Sequence, residues 1–494
     1  MQPWEQGMEL GFLDAGRLAG KIAAGEIGAR ELLEHFLARV ERFNPKLNAI
    51  VVPDDARARA RADAADRALA RGERWGPLHG LPMTIKESFN VAGLPTTWGV
   101  PEWRDNIAGA DALYVQRLQA AGAVIFGKTN VPWMLQDFQS YNEIYGTTGN
   151  PWDVARTPGG SSGGSAAALA AGLTGLESGS DIGGSIRNPA HFCGVYGHKP
   201  TWGILPTEGH ALADSITMPD ISVVGPLARS AEDLRLVLDL VAGPGTLAAP
   251  GWRLDLPEPA KARLADYRVA LWADDAMSEV DRPVLERLHA LAEALGRAGA
   301  TVDETARPAF EPRDYHALYI KLLRAVTSAR QVEADFERAV REAEALDPAE
   351  ESYRAWLLRG STLRHRAWLP LDEARDRLRL VWREFFREHD LLLCPVTASA
   401  AFPHDHHPER MERLLTVNGR QVPYLDQLFW AGLPAVCYLP STVAPIGPGA
   451  DGLPVGVQIV GPEFADRTTI DFARLIADVI GGFVPPPGYD TESG

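Results

Sequence analysis

Two glycine-flanked serines and one lysine are the residues of this chain best suited to chemistry. Ser185 follows a glycine pair in the run SGSDIGGSIR, and Ser161 lies in the run GGSSGGSAAALAAG. Lys86 stands further upstream, in GLPMTIKES. Lys86 precedes Ser161 by 75 residues, and Ser161 precedes Ser185 by 24. Two serines and a lysine in such surroundings indicate nucleophilic acyl chemistry without histidine, because a serine hydroxyl needs a base to become a good nucleophile.

Lys86 can be that base only if it is neutral at the working pH. Burial favours the neutral form, because desolvation penalises the ammonium and lowers its pKa by up to ~3–5 units. The stretch before Lys86 is apolar and β-branched, which predicts a strand over 81–86. We therefore expect Lys86 to be partly buried.

The glycines before Ser185 suit a site for an oxyanion. Tetrahedral intermediates of acyl transfer are stabilised by preorganised backbone N–H groups. Gly183 and Gly184 let a carbonyl approach the backbone and tolerate positive φ. We expect the N–H groups of Ile182, Gly183, Gly184 and Ser185 to converge on the oxyanion.

Several collinear blocks of the chain resemble the amidase signature family of serine hydrolases. They cover nearly the whole length: GPLHGLPMTIKESFNVAGLPTTWG at 76–99, GKTNVP at 127–132, YGTTGNPWDVARTPGGSSGGSAAALAAGL at 145–173, NPAHFCGVYGHKPTWG at 188–203 and GLPVGVQIVGPEFAD at 452–466.

The resemblance implies roles for individual residues. Ser185 would be the nucleophile, Ser161 the bridging serine beside a cis peptide bond, and Lys86 the base. The family's acyl pocket borders the segment after TNVP, which points to substrate contacts from the set Met134, Leu135, Gln136 and Phe138. Glu87 departs from the aspartate that many members carry after the lysine.

Other interpretations of the glycine-serine runs are weaker. Residues 159–163 also fit G-x-S-x-G, but that nucleophile elbow needs a preceding strand, and residues 150–158 read as a loop. A phosphate loop would need a lysine after the second glycine pair. A plain linker would lack the alanine-rich, helix-prone stretch 165–173 that follows. Ser162 and Ser165 fit roles in capping or backbone bonding, and Asp181 with Arg187 fits a structural pair that shapes the glycine loop.

The predicted reaction is amide hydrolysis through an acyl-enzyme, with aryl, fatty, carbamate and ester substrates left open. The segment 133–141 is rich in apolar groups and offers no strong cationic anchor, which favours a hydrophobic acyl group. Tyr424, Phe429 and Trp430 either add a further wall or, more commonly for such residues, belong to the core. The alternative is the glutamine-hydrolysing subunit of a tRNA-dependent amidotransferase. That subfamily is expected to carry a glutamine-binding aspartate where this chain has Val422. A non-catalytic binding homologue is disfavoured by the intact lysine and serines.

Composition bounds the class of protein. The 494 residues are 46% hydrophobic, enough for a large core, and the net charge of −16 argues against nucleic acid as a partner. Three scattered cysteines make no disulfide framework. The N-terminal residues do not show the pattern of a secretory signal. The stretch 428–450 is uncharged, but four prolines interrupt it, so it is predicted to form buried strands and loops. We expect a cytoplasmic protein that does not enter a membrane.

The periodicity predicts an α/β fold: one large domain over 1–494, with a mixed, mostly parallel sheet covered by helices on both faces. Strands are predicted at 81–86, 122–126, 267–272, 299–304, 390–396 and 453–460, and helices within 12–42, 56–71, 110–120 and 282–298. Residues of about 312–388 are rich in Arg, Glu, Ala and Leu and read as a helical insertion.

No cofactor or metal is predicted. The cluster His404-Asp405-His406-His407 could hold a metal ion but lies between prolines and reads as an exposed loop. The expected partner is a small-molecule amide, and a homodimer is compatible with the sequence.

Overall fold

The computed structural model describes residues 9–211 and 215–489. Its strands are β1 (Ile50–Pro53), β2 (Pro82–Lys86), β3 (Val124–Thr129), β4 (Tyr141–Asn142), β5 (Gly146–Thr147), β6 (Glu177–Asp181), β7 (Tyr196–Lys199), β8 (Val223–Ala228), β9 (Arg268–Leu271), β10 (Thr301–Asp303), β11 (Leu391–Pro395), β12 (Leu414–Val417), β13 (Arg420–Pro423), β14 (Ser441–Pro448) and β15 (Pro454–Val460). Its α-helices are α1 (Ala15–Ala23), α2 (Ala29–Leu47), α3 (Asp55–Ala70), α4 (Leu113–Ala120), α5 (Gly163–Ala170), α6 (Arg187–Cys193), α7 (Ala231–Val241), α8 (Arg282–Arg297), α9 (Pro312–Ser328), α10 (Glu333–Glu344), α11 (Tyr353–Ser361), α12 (His365–Glu388), α13 (Leu428–Val436) and α14 (Asp466–Ile480).

A large sheet and a small sheet organise the fold. The large sheet has eight strands in the order β10-β9-β11-β15-β14-β7-β8-β6. The small sheet has the order β1-β3-β2, and β2 runs beside β6 at the edge of the large sheet. Strands β7, β8, β11 and β15 are buried along their whole length, because helices flank the sheet. The α/β fold with a mixed sheet is therefore confirmed.

Parallel pairing is confined to part of the sheets. Strand β9 pairs in parallel with β10 and β11, and β2 pairs in parallel with β3. These are the strand–helix–strand units in the sequence, where a crossover helix brings the next strand back in the same direction. The other pairs of the large sheet, from β11–β15 to β8–β6, are antiparallel. The sheet is therefore mixed, and the description 'mostly parallel' does not apply to these central pairs. Strands β14 and β15, for example, follow each other directly in the chain and pair antiparallel.

Two helical predictions change in detail. The segment 12–42 contains two helices, α1 and α2, because Gly25 adopts a φ of +71° between them. The stretch 428–450 was expected to be strands and loops, but its first nine residues form α13, with Pro434 inside the helix. The fully apolar environment of α13 explains the difference, since a helix buried on every side shows no periodic pattern.

Residues 312–388 form four helices, α9 to α12, as expected for this helix-rich segment. Helix α9 packs against α11, α12 and α13. The hydroxyl of Tyr319, on α9, donates a hydrogen bond to the carbonyl of Ile182, at 3.0 Å. The helical segment therefore reaches the glycine turn that precedes Ser185.

Within the described ranges, no helix is both long and apolar enough to cross a membrane. The expectation about a secretory signal rests largely on residues 1–8, which lie outside the described residues.

Candidate active site

Lys86 is the last residue of β2 and is completely buried. Its Nζ donates hydrogen bonds to three serine hydroxyls: Ser161 at 2.7 Å, Ser162 at 3.0 Å and Ser180 at 2.9 Å. Strand β6 supplies Ser180, and the segment before α5 supplies the other two. The end of β2 therefore meets the neighbouring β6 and the serine-rich segment around one amine.

Burial lowers the pKa of Lys86 to about 7, against the attraction of three buried carboxylates, of which Asp181 is the strongest. A lysine with this pKa is neutral in a substantial fraction of molecules at neutral pH, which is the condition for acting as a base. Glu177, on the adjoining strand, has its pKa raised by burial to about 7 as well.

The peptide bond between Gly160 and Ser161 is cis. A side chain on Gly160 would lie 2.3 Å from the carbonyl oxygen of Asp137, so only glycine fits there. The amide N–H of Gly160 donates to Asn188 Oδ1 at 3.0 Å, and Asn188 Nδ2 donates to the carbonyls of Gly160 and Gly184. Asn188 therefore ties the segment of Ser161 to the turn of Ser185.

The turn between β6 and α6 is built around the carboxylate of Asp181. Asp181 accepts hydrogen bonds from the amides of Gly184 at 2.9 Å and Ile186 at 3.1 Å. It also forms a buried ion pair with Arg187, at 2.8 Å. Burial opposes ionisation, but the charge of Arg187 and these hydrogen bonds outweigh it and lower the pKa of Asp181 to about 2. Asp181 and Arg187 thus make the buried pair that shapes this turn.

Arg187 also fixes the turn to the rest of the molecule. Its Nη1 donates to the carbonyl of Ala431, on α13, at 2.9 Å and to Gln458 Oε1, on β15, at 2.6 Å. The position of the turn is therefore set by the large sheet and by α13 together.

The turn contains the four backbone N–H groups of residues 182–185. The Gly184 amide is already bonded to Asp181. The amides of Ile182, Gly183 and Ser185 have no hydrogen-bond acceptor among residues 9–211 and 215–489. These three N–H groups are therefore the ones available to an oxyanion, while Gly184 contributes its φ of +98°.

Ser185 opens onto a small cavity of about 80 Å³. The cavity is lined by Leu135, Gln136, Asp137, Phe138, Ile182, Gly183, Ser185, Leu323, Arg324, Thr327, Arg330, Arg410, Tyr424, Leu425 and Leu428. Three of the four residues expected at the substrate line it: Leu135, Gln136 and Phe138. The fourth, Met134, packs instead with Trp98 and Val100.

The three aromatic residues proposed as a wall separate in the structure. Tyr424 lines the cavity, and its hydroxyl donates to Asp137 at 2.5 Å. Phe429 and Trp430 are buried against Trp272, away from the lining. They are core residues of α13, which is the alternative that the sequence left open for them.

Three arginines line the cavity, although the segment 133–141 suggested a pocket without a cationic anchor. Arg324 is on α9, Arg330 follows that helix, and Arg410 precedes β12. Sequence reasoning missed them because they lie about 140 residues or more from Ser185 in the chain. No motif marks them, and only the packing of α9 over the turn brings them to the site.

Ser180 and Asn188 were missed as well. Ser180 lies five residues before Ser185, and strand alternation could have indicated that its side chain points to β2. Asn188 carries no signal of its own beyond its place in a block that resembles the family.

Glu87, the residue after Lys86, accepts hydrogen bonds from the amides of Thr97 and Trp98, at 2.5 and 3.0 Å. It therefore supports the end of β2 through the following loop.

No set of three or more His, Cys, Asp or Glu side chains in the described parts of the chain is placed to hold a metal ion. In the cluster 404–407, His406 stacks on Tyr141, with ring centres 3.8 Å apart.

The chain is similar to amidases in sequence and in fold. The family model described as Amidase matches residues 31–470. Indoleacetamide hydrolase of Bradyrhizobium diazoefficiens is 33% identical over 474 residues, covering 94% of this chain and 86% of that protein. A glutamyl-tRNA(Gln) amidotransferase subunit of Anaeromyxobacter dehalogenans is 34% identical over 507 residues, covering 98% and 99%. The crystal structure of a bacterial aryl acylamidase superposes with a TM-score of 0.80 at 23% identity, covering 95% and 96%, which shows a shared fold.

Proposed function

The chain belongs to the amidase signature family of hydrolases that act on amide C–N bonds, and on that premise we propose that it cleaves a carboxylic amide through an acyl-enzyme on Ser185. The observation that carries this proposal is the buried amine of Lys86, bonded to Ser161 beside the turn of Ser185. This contact supports the proposal because it joins an amine with a pKa of about 7 to the serine that would relay the proton.

The proposed reaction begins with Lys86 in its neutral form. Its nitrogen accepts the proton of Ser161, and Ser161 accepts the proton of Ser185 as the Ser185 oxygen attacks the carbonyl carbon. The oxyanion that forms is held by the free amides of Ile182, Gly183 and Ser185.

Collapse of the tetrahedral intermediate breaks the C–N bond. The proton held on Lys86 returns through Ser161 to the leaving nitrogen, because an amide anion is a poor leaving group. Water then gives its proton to the same relay and attacks the ester of Ser185. The acid is released, and both serines regain their protons.

We propose a substrate with an apolar acyl part, such as an aryl or fatty acyl amide, with carbamates and esters as further candidates. Supporting this, six apolar side chains line the cavity: Leu135, Phe138, Ile182, Leu323, Leu425 and Leu428. The similarity to an indoleacetamide hydrolase is compatible with an aromatic acyl group.

The test is hydrolysis of a panel of simple, aryl, fatty and carbamate amides, with glutamine included, by the wild type and by Ser185→Ala. The wild type should release amine from at least one hydrophobic amide, and the variant should lose at least 10³-fold in kcat while keeping its circular dichroism spectrum. Retained turnover in Ser185→Ala would remove Ser185 from the reaction.

A second candidate is the glutamine-hydrolysing subunit of a tRNA-dependent amidotransferase, which the 34% identity to an amidotransferase subunit favours. Val422 weakens it, because this residue lies in the β12–β13 hairpin opposite Leu415 and packs against the core, where a carboxylate would be needed to grip glutamine. A kcat/KM for glutamine above that for hydrophobic amides, rising with partner subunits, would replace the first proposal with this one.

A further inference from the structure

Three guanidinium groups surround the cavity onto which Ser185 opens. Arg324 and Arg330 reach it from α9 and the turn that follows, and Arg410 reaches it from the segment before β12, beside Gln136. The chain as a whole carries a net charge of −16, so a cavity lined by three cations is a local exception.

The acidic residue in this lining is engaged elsewhere. Asp137 forms an ion pair with Arg413 at 2.7 Å, and it accepts hydrogen bonds from the hydroxyls of Tyr424 and Tyr141. Within the described residues, neither Arg324, Arg330 nor Arg410 has a carboxylate at ion-pair distance. The three arginines therefore have no carboxylate of their own, because the one acidic side chain in the lining, Asp137, is paired with Arg413.

The arginines also keep unused donors. Arg410 donates to Gln136 Oε1 at 3.0 Å, and Arg324 makes a long bond of 3.4 Å to the hydroxyl of Tyr353. The Nε of Arg324 is buried without a partner among the described residues. Arg330 lies over the ring of Trp98, 4.9 Å from its centre, which leaves its planar edge available.

Burying a cation without a counter-charge costs desolvation free energy. Three such cations around one cavity therefore indicate a site for an anionic ligand. Burial lowers the pKa of Arg410, and the nearby charge of Arg324 lowers it further. Burial lowers the pKa of Arg330 too. An anion in the cavity would reverse both effects, and guanidinium groups match the two oxygens of a carboxylate.

We propose that the arginines Arg324, Arg330 and Arg410 bind a carboxylate of the substrate, so that the enzyme acts on amides that carry an acidic group. This rests on the proposed amide hydrolysis at Ser185. The apolar lining then holds the stem between the carboxylate and the scissile bond, and the volume of about 80 Å³ suits a compact anion. The carboxylate belongs either to the acyl part or to the leaving amine.

Two substrate series separate these sources. The acyl series consists of 4-nitroanilides whose acyl chain ends in a carboxylate, each paired with the same chain ending in the isosteric isopropyl group. The amine series consists of hexanoyl amides of 4-aminobenzoate and of 4-isopropylaniline. In one series the carboxylate member should have a kcat/KM about 10- to 100-fold higher than its neutral partner, as expected for hydrogen bonds to a charged group.

Charge-removing variants test whether the arginines cause the preference. Arg324→Gln, Arg330→Gln and Arg410→Gln should each lower the carboxylate preference at least 5-fold and change the kcat/KM of the neutral member less. Arg338→Gln is the matched control, because Arg338 lies on α10, pairs with Asp335 at 2.8 Å and is outside the cavity lining. It should leave both values unchanged.

Binding gives a second readout that needs no turnover. Ser185→Ala should bind the preferred carboxylate member in a calorimetric titration at least 10-fold more tightly than the isopropyl member, and Arg410→Gln added to it should lower this ratio at least 5-fold. Equal binding of the two members, or equal kcat/KM in both series, overturns the carboxylate proposal while leaving amide hydrolysis intact. Arginine-dependent binding without hydrolysis of any amide would instead overturn the proposed reaction and keep the anion site.

Discussion

Replacing Lys86 by Met should stabilise the protein most at acid pH while it abolishes turnover. Methionine has nearly the same length as lysine and no charge. In the folded protein burial lowers the pKa of Lys86 from 10.5 to about 7. At 1.36 kcal/mol per pKa unit, the charged form of this side chain costs the folded state about 5 kcal/mol.

The sign of the pH dependence follows from which state holds the proton. Between pH 7 and 10.5 the unfolded chain keeps the Lys86 proton and the folded protein has lost it, so stability rises with pH across this window. The cost is fully present below pH 7 and is gone above 10.5. Between pH 6 and pH 9 it falls by about 2–3 kcal/mol.

Urea unfolding of the wild type and Lys86→Met at pH 6 and pH 9 measures this difference. The free energy of unfolding of the variant minus that of the wild type should be about 2–3 kcal/mol smaller at pH 9 than at pH 6. The variant also loses the hydrogen bonds from Lys86 to three serines. This loss lowers the free energy of unfolding equally at both pH values, so it cancels in the comparison.

Lys46→Met serves as the control, because Lys46 is exposed on α2, and its effect should not differ between the two pH values. An advantage of Lys86→Met that is the same at pH 6 and pH 9, within 0.5 kcal/mol, would mean that Lys86 keeps an ordinary pKa. The account of a neutral lysine base would then be wrong.

Three further substitutions test the surroundings of Ser185. Ser180→Ala removes an acceptor of the Lys86 ammonium at 2.9 Å, so the acid limb of the kcat/KM profile should move to lower pH by about one unit; an upward shift would contradict the geometry. Asp181→Asn leaves Arg187 buried without its partner and should cost about 3–5 kcal/mol in urea unfolding, so an unchanged midpoint would disprove the pairing. Gly184→Ala places a side chain at a φ of +98° and 3.2 Å from the Cβ of Ala431. It should lower the free energy of unfolding by about 1–3 kcal/mol and slow covalent labelling of Ser185. The control Gly296→Ala, in open space on α8, should do neither.

The sequence predicted the parts of the site that local pattern determines. The apolar run before Lys86 and the glycine pairs around the serines each specify a local structure, and all of these appear where expected. The strand–helix–strand units around α4 and α8 follow from the same kind of periodicity.

The remaining features depend on contacts between distant segments. Arg324 and Arg410 line the same cavity as Ser185 only because α9 and the loop before β12 pack there, and no pattern near either arginine records this. Asn188 bonds to Gly160 across 28 residues, a contact that local sequence does not encode. The buried helix α13 has apolar residues on every side, which removes the periodicity that identifies a surface helix.

The central claim, that Ser185 forms the covalent intermediate, is tested most directly by locating a fluorophosphonate adduct. Trypsin alone releases residues 157–187 as one peptide, but additional cleavage after Glu177 separates 157–177, with Ser161 and Ser162, from 178–187. The account predicts a single adduct on 178–187, assigned to Ser185 by fragmentation and absent in Lys86→Met. An adduct on Ser161 or Ser162 would contradict it and identify the nucleophile as part of the segment before α5.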